Sequence, residues 1–198
     1  QLLLHDWGRP ARGPDPDRRR HSYQALEAAA RTDDPSVISS VLETRIRILS
    51  AGGDHDAAKT AIREALNHVK THKTPIQEAR LHAAIGNLYY RLGRPQDALE
   101  AFEHSAAVFA NLGIAYNQAQ SLGNAGLIHL GFRRFDEAEA CFLVCLRHYE
   151  SLQNLGEQAL VHGYLGLLAL DRYDLDKAER HYQESVNTGR RIAKQEPI

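Results

Sequence analysis

The chain has 198 residues, 43% of them hydrophobic and 25% charged, with 24 basic against 25 acidic side chains for a net charge of -1. That composition supports a packed core rather than disorder, and the charge balance argues against direct nucleic-acid binding, which asks for a visibly basic domain. No apolar run approaches the roughly 20 residues of a bilayer-spanning helix. The N-terminal Gln1-Leu2-Leu3-Leu4 gives way at once to His5, Asp6 and Arg9, which is no secretory signal. Two cysteines cannot build a disulfide framework, so a reducing, cytoplasmic setting is expected. The absence of methionine suggests a segment of a longer protein.

Residues 1–36 fit no repeat. Pro10, Pro14 and Pro16 with Arg18, Arg19 and Arg20 predict a loop, and Tyr23 to Arg31 a short helix stopping before Asp34-Pro35. Leu2–Trp7 followed by Tyr23–Arg31 reads as a decayed repeat. With a neutral total charge, the arginine run is expected to be a solvated loop rather than a nucleic-acid contact.

From residue 37 the chain repeats itself with a period of about 40 residues. Gly86, Gly126 and Gly166 form one column, with Ile46 in the earlier slot. Ala58, Ala98, Ala138 and Ala178 form another, and Ile62, Phe102, Phe142 and Tyr182 a bulky column one helical turn later. Ile48, Leu88, Ile128 and Leu168 share a fourth column; Ala79, Ala119 and Ala159 share a fifth with Ser39. Self-similarity of this kind is the mark of stacked repeats.

Within each copy the spacing is helical, as in Leu81, Ile85, Leu88 and Leu92. A break follows at Gly93-Arg94-Pro95, where Gly93 suits a left-handed helix end and Pro95 the start of the next helix. Gly52-Gly53-Asp54 and Arg172-Tyr173-Asp174 mark the same turn in other copies. Each copy is thus a helical hairpin, with repeats at 37–76, 77–116, 117–156 and 157–196. A mid-helix glycine costs about 0.5–1 kcal/mol relative to alanine, so the glycine column predicts close approach of a second helix. The alanine column is expected at the contact of the two helices, and the aromatic column between successive hairpins.

These columns resemble the tetratricopeptide repeat family, whose signature runs from a large residue through Leu-Gly and an aromatic to Ala and a following Phe or Tyr. Ile85-Gly86, Tyr89, Ala98 and Phe102 match it, as do Ala125-Gly126, Ala138 and Phe142, and Leu165-Gly166, Ala178 and Tyr182. The usual Trp is replaced by Leu42, His82, Leu122 and His162. The period is also longer than the roughly 34 residues common in the family. The resemblance implies an all-α, right-handed solenoid of antiparallel helical hairpins covering about half a superhelical turn. It also implies a protein- or peptide-binding module, without catalysis or cofactor, inside a larger scaffolding protein. An alternative is a sensor gating an attached catalytic or DNA-binding domain.

In this family the first helices of the hairpins line a groove. The resemblance places Arg80, Asn87, Tyr90 and Arg91 there from the second copy, Asn124 and Leu127 from the third, and Tyr164 and Leu167 from the fourth. Arg80 and Arg91 are expected to anchor acidic side chains, Asn87 and Asn124 a peptide backbone, and Tyr164 with Leu167 an apolar side chain. The apolar end of the groove, including Leu130 and Leu170, is either a binding patch or core covered by a further element. No capping helix is evident after the last repeat, which leaves room for self-association there.

Other polar clusters read as structural. Cys141, Cys145 and His148 share a helix face and could present soft ligands, but Cys145 falls in the small-residue slot of Ala65, Ser105 and Ser185. His82, His129 and His162 sit in packing columns and are expected as buried, hydrogen-bonded rings. No zinc-protease, phosphate-loop or nucleophile-elbow motif occurs.

Overall fold

A computed structural model describes residues 16–32, 34–72 and 74–195, and all regular structure among them is helical. In chain order the helices are α1 (Pro16–Ala30), α2 (Pro35–Ala51), α3 (His55–His72), α4 (Pro75–Arg91), α5 (Pro95–Asn111), α6 (Ala115–Gly131), α7 (Phe135–Ser151), α8 (Leu155–Asp171) and α9 (Leu175–Gln195). From α2 onward the helix starts are evenly spaced along the chain, and two of these steps make one period of the sequence. Each repeat is therefore one pair of helices. None of the described helices is long and apolar enough to cross a membrane.

The helix ends follow from local chemistry. Gly93, at φ 69°, donates its N–H to the Tyr90 carbonyl, and Arg94 donates to that of Tyr89. This paired closure satisfies two carbonyls that the helix leaves without intrahelical partners. The same pair of bonds closes the turns at Gly53, Arg133, Gln153 and Tyr173. Arg133, Gln153 and Tyr173 take the left-handed conformation without being glycine, with φ between 53° and 60°. The following helix is then capped by side chains: Asp34 accepts from the Ser36 N–H, Asn154 from Glu157, and Asp174 from Lys177.

One expectation fails at the N-terminal end. Arg18, Arg19 and Arg20 lie in α1, which begins at Pro16, rather than in a loop. Proline is tolerated in the first helical turn because its missing N–H would have no intrahelical partner there, and Asp17 favours the positive end of the helix dipole. Residues 1–15, including Leu2–Trp7, Pro10 and Pro14, lie outside the described residues.

The chain divides into two compact units, one ending at Leu112 and the other beginning at Gly113. In the first, α2 packs on α1, α3 and α4, and α4 on α3 and α5. Its core joins Leu42, Ile46 and Leu49 of α2 to Ala58, Ile62 and Ala65 of α3 and Leu81, Ile85 and Leu88 of α4. In the second, α6 packs on α7 and α8, α7 on α8, and α8 on α9. Ala138, Phe142, Cys145 and Tyr149 of α7 meet Val161, Tyr164, Leu165 and Leu168 of α8 in its core.

The glycine and aromatic columns serve one another inside each hairpin. A Cβ on Gly86 would lie 2.8 Å from the Phe102 ring, one on Gly126 2.7 Å from Phe142, and one on Gly166 2.8 Å from Tyr182. The aromatic residue therefore fills the space that its own hairpin's glycine opens, instead of lying only between hairpins as its spacing suggested. Phe142 does both, because its ring also stacks on Tyr164 of the next hairpin at 5.4 Å between centroids. In the first hairpin the volumes are exchanged: Ile46 and Ile62, in the glycine and aromatic slots, are both buried in the same core. The alanine column is buried throughout.

A repeated hydrogen bond ties the two helices of each hairpin in the second unit. The Cys145 thiol donates to the Ala119 carbonyl at 3.1 Å, and one period later Ser185 donates to the Ala159 carbonyl at 2.8 Å. Burial pushes the Cys145 thiol's pKa well above its ordinary range, which suits a structural donor and not a thiolate ligand.

Candidate functional site

The first helices carry the candidate residues, and each unit is described by itself. In the first unit α2 and α4 lie side by side. Arg80 is half-exposed, but its Nε is 2.8 Å from Oε2 of Glu43 on α2. It is therefore engaged within the protein, and a ligand carboxylate would have to displace Glu43. Asn87 is half-buried and donates its Nδ2 to the Ala83 carbonyl of its own helix at 3.0 Å. Tyr90 is half-buried and Arg91 exposed. Asn87, Tyr90 and Arg91 thus set an amide, a phenol ring and a cation along the C-terminal end of α4.

In the second unit α6 and α8 touch. Leu127 is half-buried against the core, and Leu167 and Leu170 are 39% and 40% exposed. Leu167 and Leu170 stand about one turn apart on α8, and Leu127 holds the slot of Leu167 one period earlier on α6. Asn124 and Tyr164 stand differently. Asn124 is 5% exposed and Tyr164 3%, with the Tyr164 ring committed to Phe142. Neither presents a surface for an incoming side chain, and Asn87 and Asn124 belong to different units.

The second unit also buries interacting polar groups that the spacing alone did not reveal. The Tyr149 and Tyr164 hydroxyls and Oε2 of Glu157 are buried with no hydrogen-bond partner among the described residues. Burial, and then the charge of Glu157, push the pKa of both phenols upward, so they stay protonated. Tyr116 meets Tyr149 edge-on at 6.0 Å between centroids.

The histidines found partners across hairpin helices. His82 is half-buried, its ring 4.0 Å from that of His104 on α5. Burial first, and then His104, lower its pKa to about 4, against an opposing pull from Glu78. His162 faces His181 of α9, with their Nδ1 atoms 3.2 Å apart. A hydrogen bond between those facing nitrogens leaves only one of them carrying the proton. Burial and His162 lower the pKa of His181. His129 is buried, as its column implied.

Sequence reading missed Arg45. It falls in the column of Ile85 and Leu165, yet its side chain is 1% exposed and its Nη1 is 2.5 Å from Glu64 Oε2. The guanidinium carbon lies 4.1 Å over the Tyr23 ring. The one sign in the sequence was a charged residue in an otherwise apolar slot.

Comparison with known proteins places this architecture. Residues 77–151 match the tetratricopeptide repeat family model. Among solved structures, the chain is similar to BtubC (BKLC) from P. vanneervenii, at 22% identity and a TM-score of 0.78 over 87% of this chain and 72% of that one. It is also similar to aspartyl phosphate phosphatase F from Bacillus subtilis, at 13% identity and a TM-score of 0.78; 89% of this chain aligns, spanning 46% of that protein. The third is MamA, at 15% identity and a TM-score of 0.65 over 88% of each chain. At these identities the likeness establishes the fold, an all-α solenoid of helical hairpins. No curated protein sequence matches.

Proposed function

We propose that the chain, whose residues 77–151 match the tetratricopeptide repeat family model, is a protein-interaction module that binds extended segments of partner proteins along the faces of its first helices. Two surfaces carry the reading: Asn87, Tyr90 and Arg91 on α4 in one unit, and Leu127, Leu167 and Leu170 on α6 and α8 in the other. The observation that carries it furthest is the exposed leucine pair of α8. By the repeat register Leu167 takes on α8 the slot that half-buried Leu127 takes on α6, and an exposed apolar pair of this kind suits an amphipathic or apolar segment. The α4 surface adds an Arg and a Tyr, residue types enriched where binding energy concentrates.

Arg80 takes a secondary place in this reading because Glu43 holds it, and Asn124 and Tyr164 support the face from beneath. The repeats act without catalysis or cofactor, and two free cysteines fit a reducing, cytoplasmic setting. Self-association is a second reading, through a different surface, that of α9, which exposes 68% of Leu175 and 49% of Val186.

The test is selection of binding peptides from a displayed library, followed by anisotropy titration. Leu167→Asp with Leu170→Asp, and separately Asn87→Ala with Arg91→Ala, are each expected to weaken their ligands by about tenfold or more. Selected peptides that bind all these variants undiminished would remove the first-helix faces from consideration. For α9, sedimentation of Val186→Asp beside the native chain reads any self-association.

A further inference from the structure

We propose that Glu78, His82 and His104 form a binding site for one divalent transition-metal ion, with Zn2+ the best fit. One ligand atom from each of the three lies within 4.8 Å of the others. Glu78 and His82 are one helical turn apart on α4 and therefore share a face of that helix. His104 comes from α5, across the same hairpin.

The dimensions suit a small ion. His104 Nε2 stands 3.4 Å from Glu78 Oε1. With metal–ligand bonds of about 2.0–2.1 Å, two ligands of a tetrahedral zinc lie about 3.3–3.4 Å apart. One edge of the tetrahedron is therefore already set, and small rotations of His82 close the other two. Two imidazoles and one carboxylate are donors that zinc and its neighbours in the first transition row accept, whereas calcium and magnesium prefer oxygen alone. His104 is exposed and Glu78 half-buried, which gives an ion a path from solvent.

Repeat packing does not require this trio. The same three slots hold Ile38, Leu42 and Glu64 in the first hairpin, Gln118, Leu122 and Val144 in the third, and Gln158, His162 and Glu184 in the fourth. Only the second hairpin places an acid and two histidines there together. Facing imidazoles repel once both are protonated, while a metal supplies a positive centre on which both nitrogens and the carboxylate converge. Three protein ligands leave one position for water or for a group from outside. The bound ion would staple α4 to α5. The site is independent of the first-helix faces, and each stands or falls alone.

The test titrates the full chain, freed of metal with chelator, with Zn2+ by calorimetry and with Co2+ by visible absorption. One Zn2+ per chain is expected, saturating in the micromolar range or tighter, with a tetrahedral cobalt spectrum and a rise in melting temperature. A triple variant, Glu78→Gln, His82→Leu and His104→Val, takes the residues of the third hairpin and so keeps the packing of a repeat that folds. It is expected to lose roughly 100-fold or more in affinity with its helical circular dichroism intact, while His162→Leu binds as the native chain does. Absence of saturable binding by the native chain, or binding that survives the triple variant, overturns the proposal.

Discussion

The ring of Phe142 lies against Gly126 so closely that a methyl group on that glycine would stand 2.7 Å from ring Cε1 and 3.1 Å from the Cβ of Cys141. The ring is wholly buried and also stacks on Tyr164, so it cannot simply swing out to solvent. Alanine at this position would gain about 1 kcal/mol of helix propensity and lose more to overpacking.

Gly126→Ala is therefore expected to be net destabilising by about 1–2 kcal/mol, read as a lower urea midpoint. Adding Phe142→Leu should restore part of the loss, because the first hairpin already holds an aliphatic pair, Ile46 and Ile62, in these slots. A double variant no better than the single one would show that the two residues are not coupled.

Tyr173 tests the backbone. It is 88% exposed and sits at φ 60°, where a side chain other than glycine is strained by about 1–2 kcal/mol. Tyr173→Gly should raise stability by roughly 0.5–1 kcal/mol after the entropy of the added glycine is counted. At Gly93, φ 69°, the reverse change to Ala should lower it by a similar amount, although nothing lies near enough to clash. Thermal melts of both variants decide it.

Arg45 and Glu64 form a pair of which only the arginine is buried. Glu64→Ala leaves the guanidinium with the Tyr23 ring and no counter-charge, and should destabilise by about 1–2 kcal/mol, discounted for the exposure of the glutamate. Arg45→Leu places in the slot the residue that Leu165 supplies in the fourth hairpin, and should fall within about 1 kcal/mol of the native chain. Equal losses from both changes would contradict this.

The histidines give a pH signature. His82 has its pKa lowered from 6.5 to about 4 in the folded chain, so between these values the unfolded chain binds the extra proton. Stability from this source is complete above the unfolded pKa and is lost as pH falls toward the folded one. The groups acting on His82 are His104, which lowers its pKa, and Glu78, which raises it. With chelator present, the native urea midpoint should therefore fall more steeply on acidification than that of His82→Leu. Parallel curves would mean that His82 titrates alike in both states.

The hairpins, their period, the turn positions and the columns of glycine, alanine and aromatic residues were all legible in the order of the residues. They follow from short-range rules: which residues share a helix face, where a left-handed residue ends a helix, and what volume recurs from one copy to the next. The glycines at 86, 126 and 166 announced a close approach, and their partners at 102, 142 and 182 stand on the second helix of the same hairpin. Which polar residues on those faces are already engaged was a matter for the folded chain alone. Periodicity says that Arg80, Tyr164 and His82 face away from their own helix axis toward a neighbour or solvent, but not what the neighbour presents. Stacking brought Glu43 to Arg80, Phe142 to Tyr164 and His104 to His82. Each pairing depends on side chains from different helices, whose juxtaposition is set by packing and not by spacing along one helix.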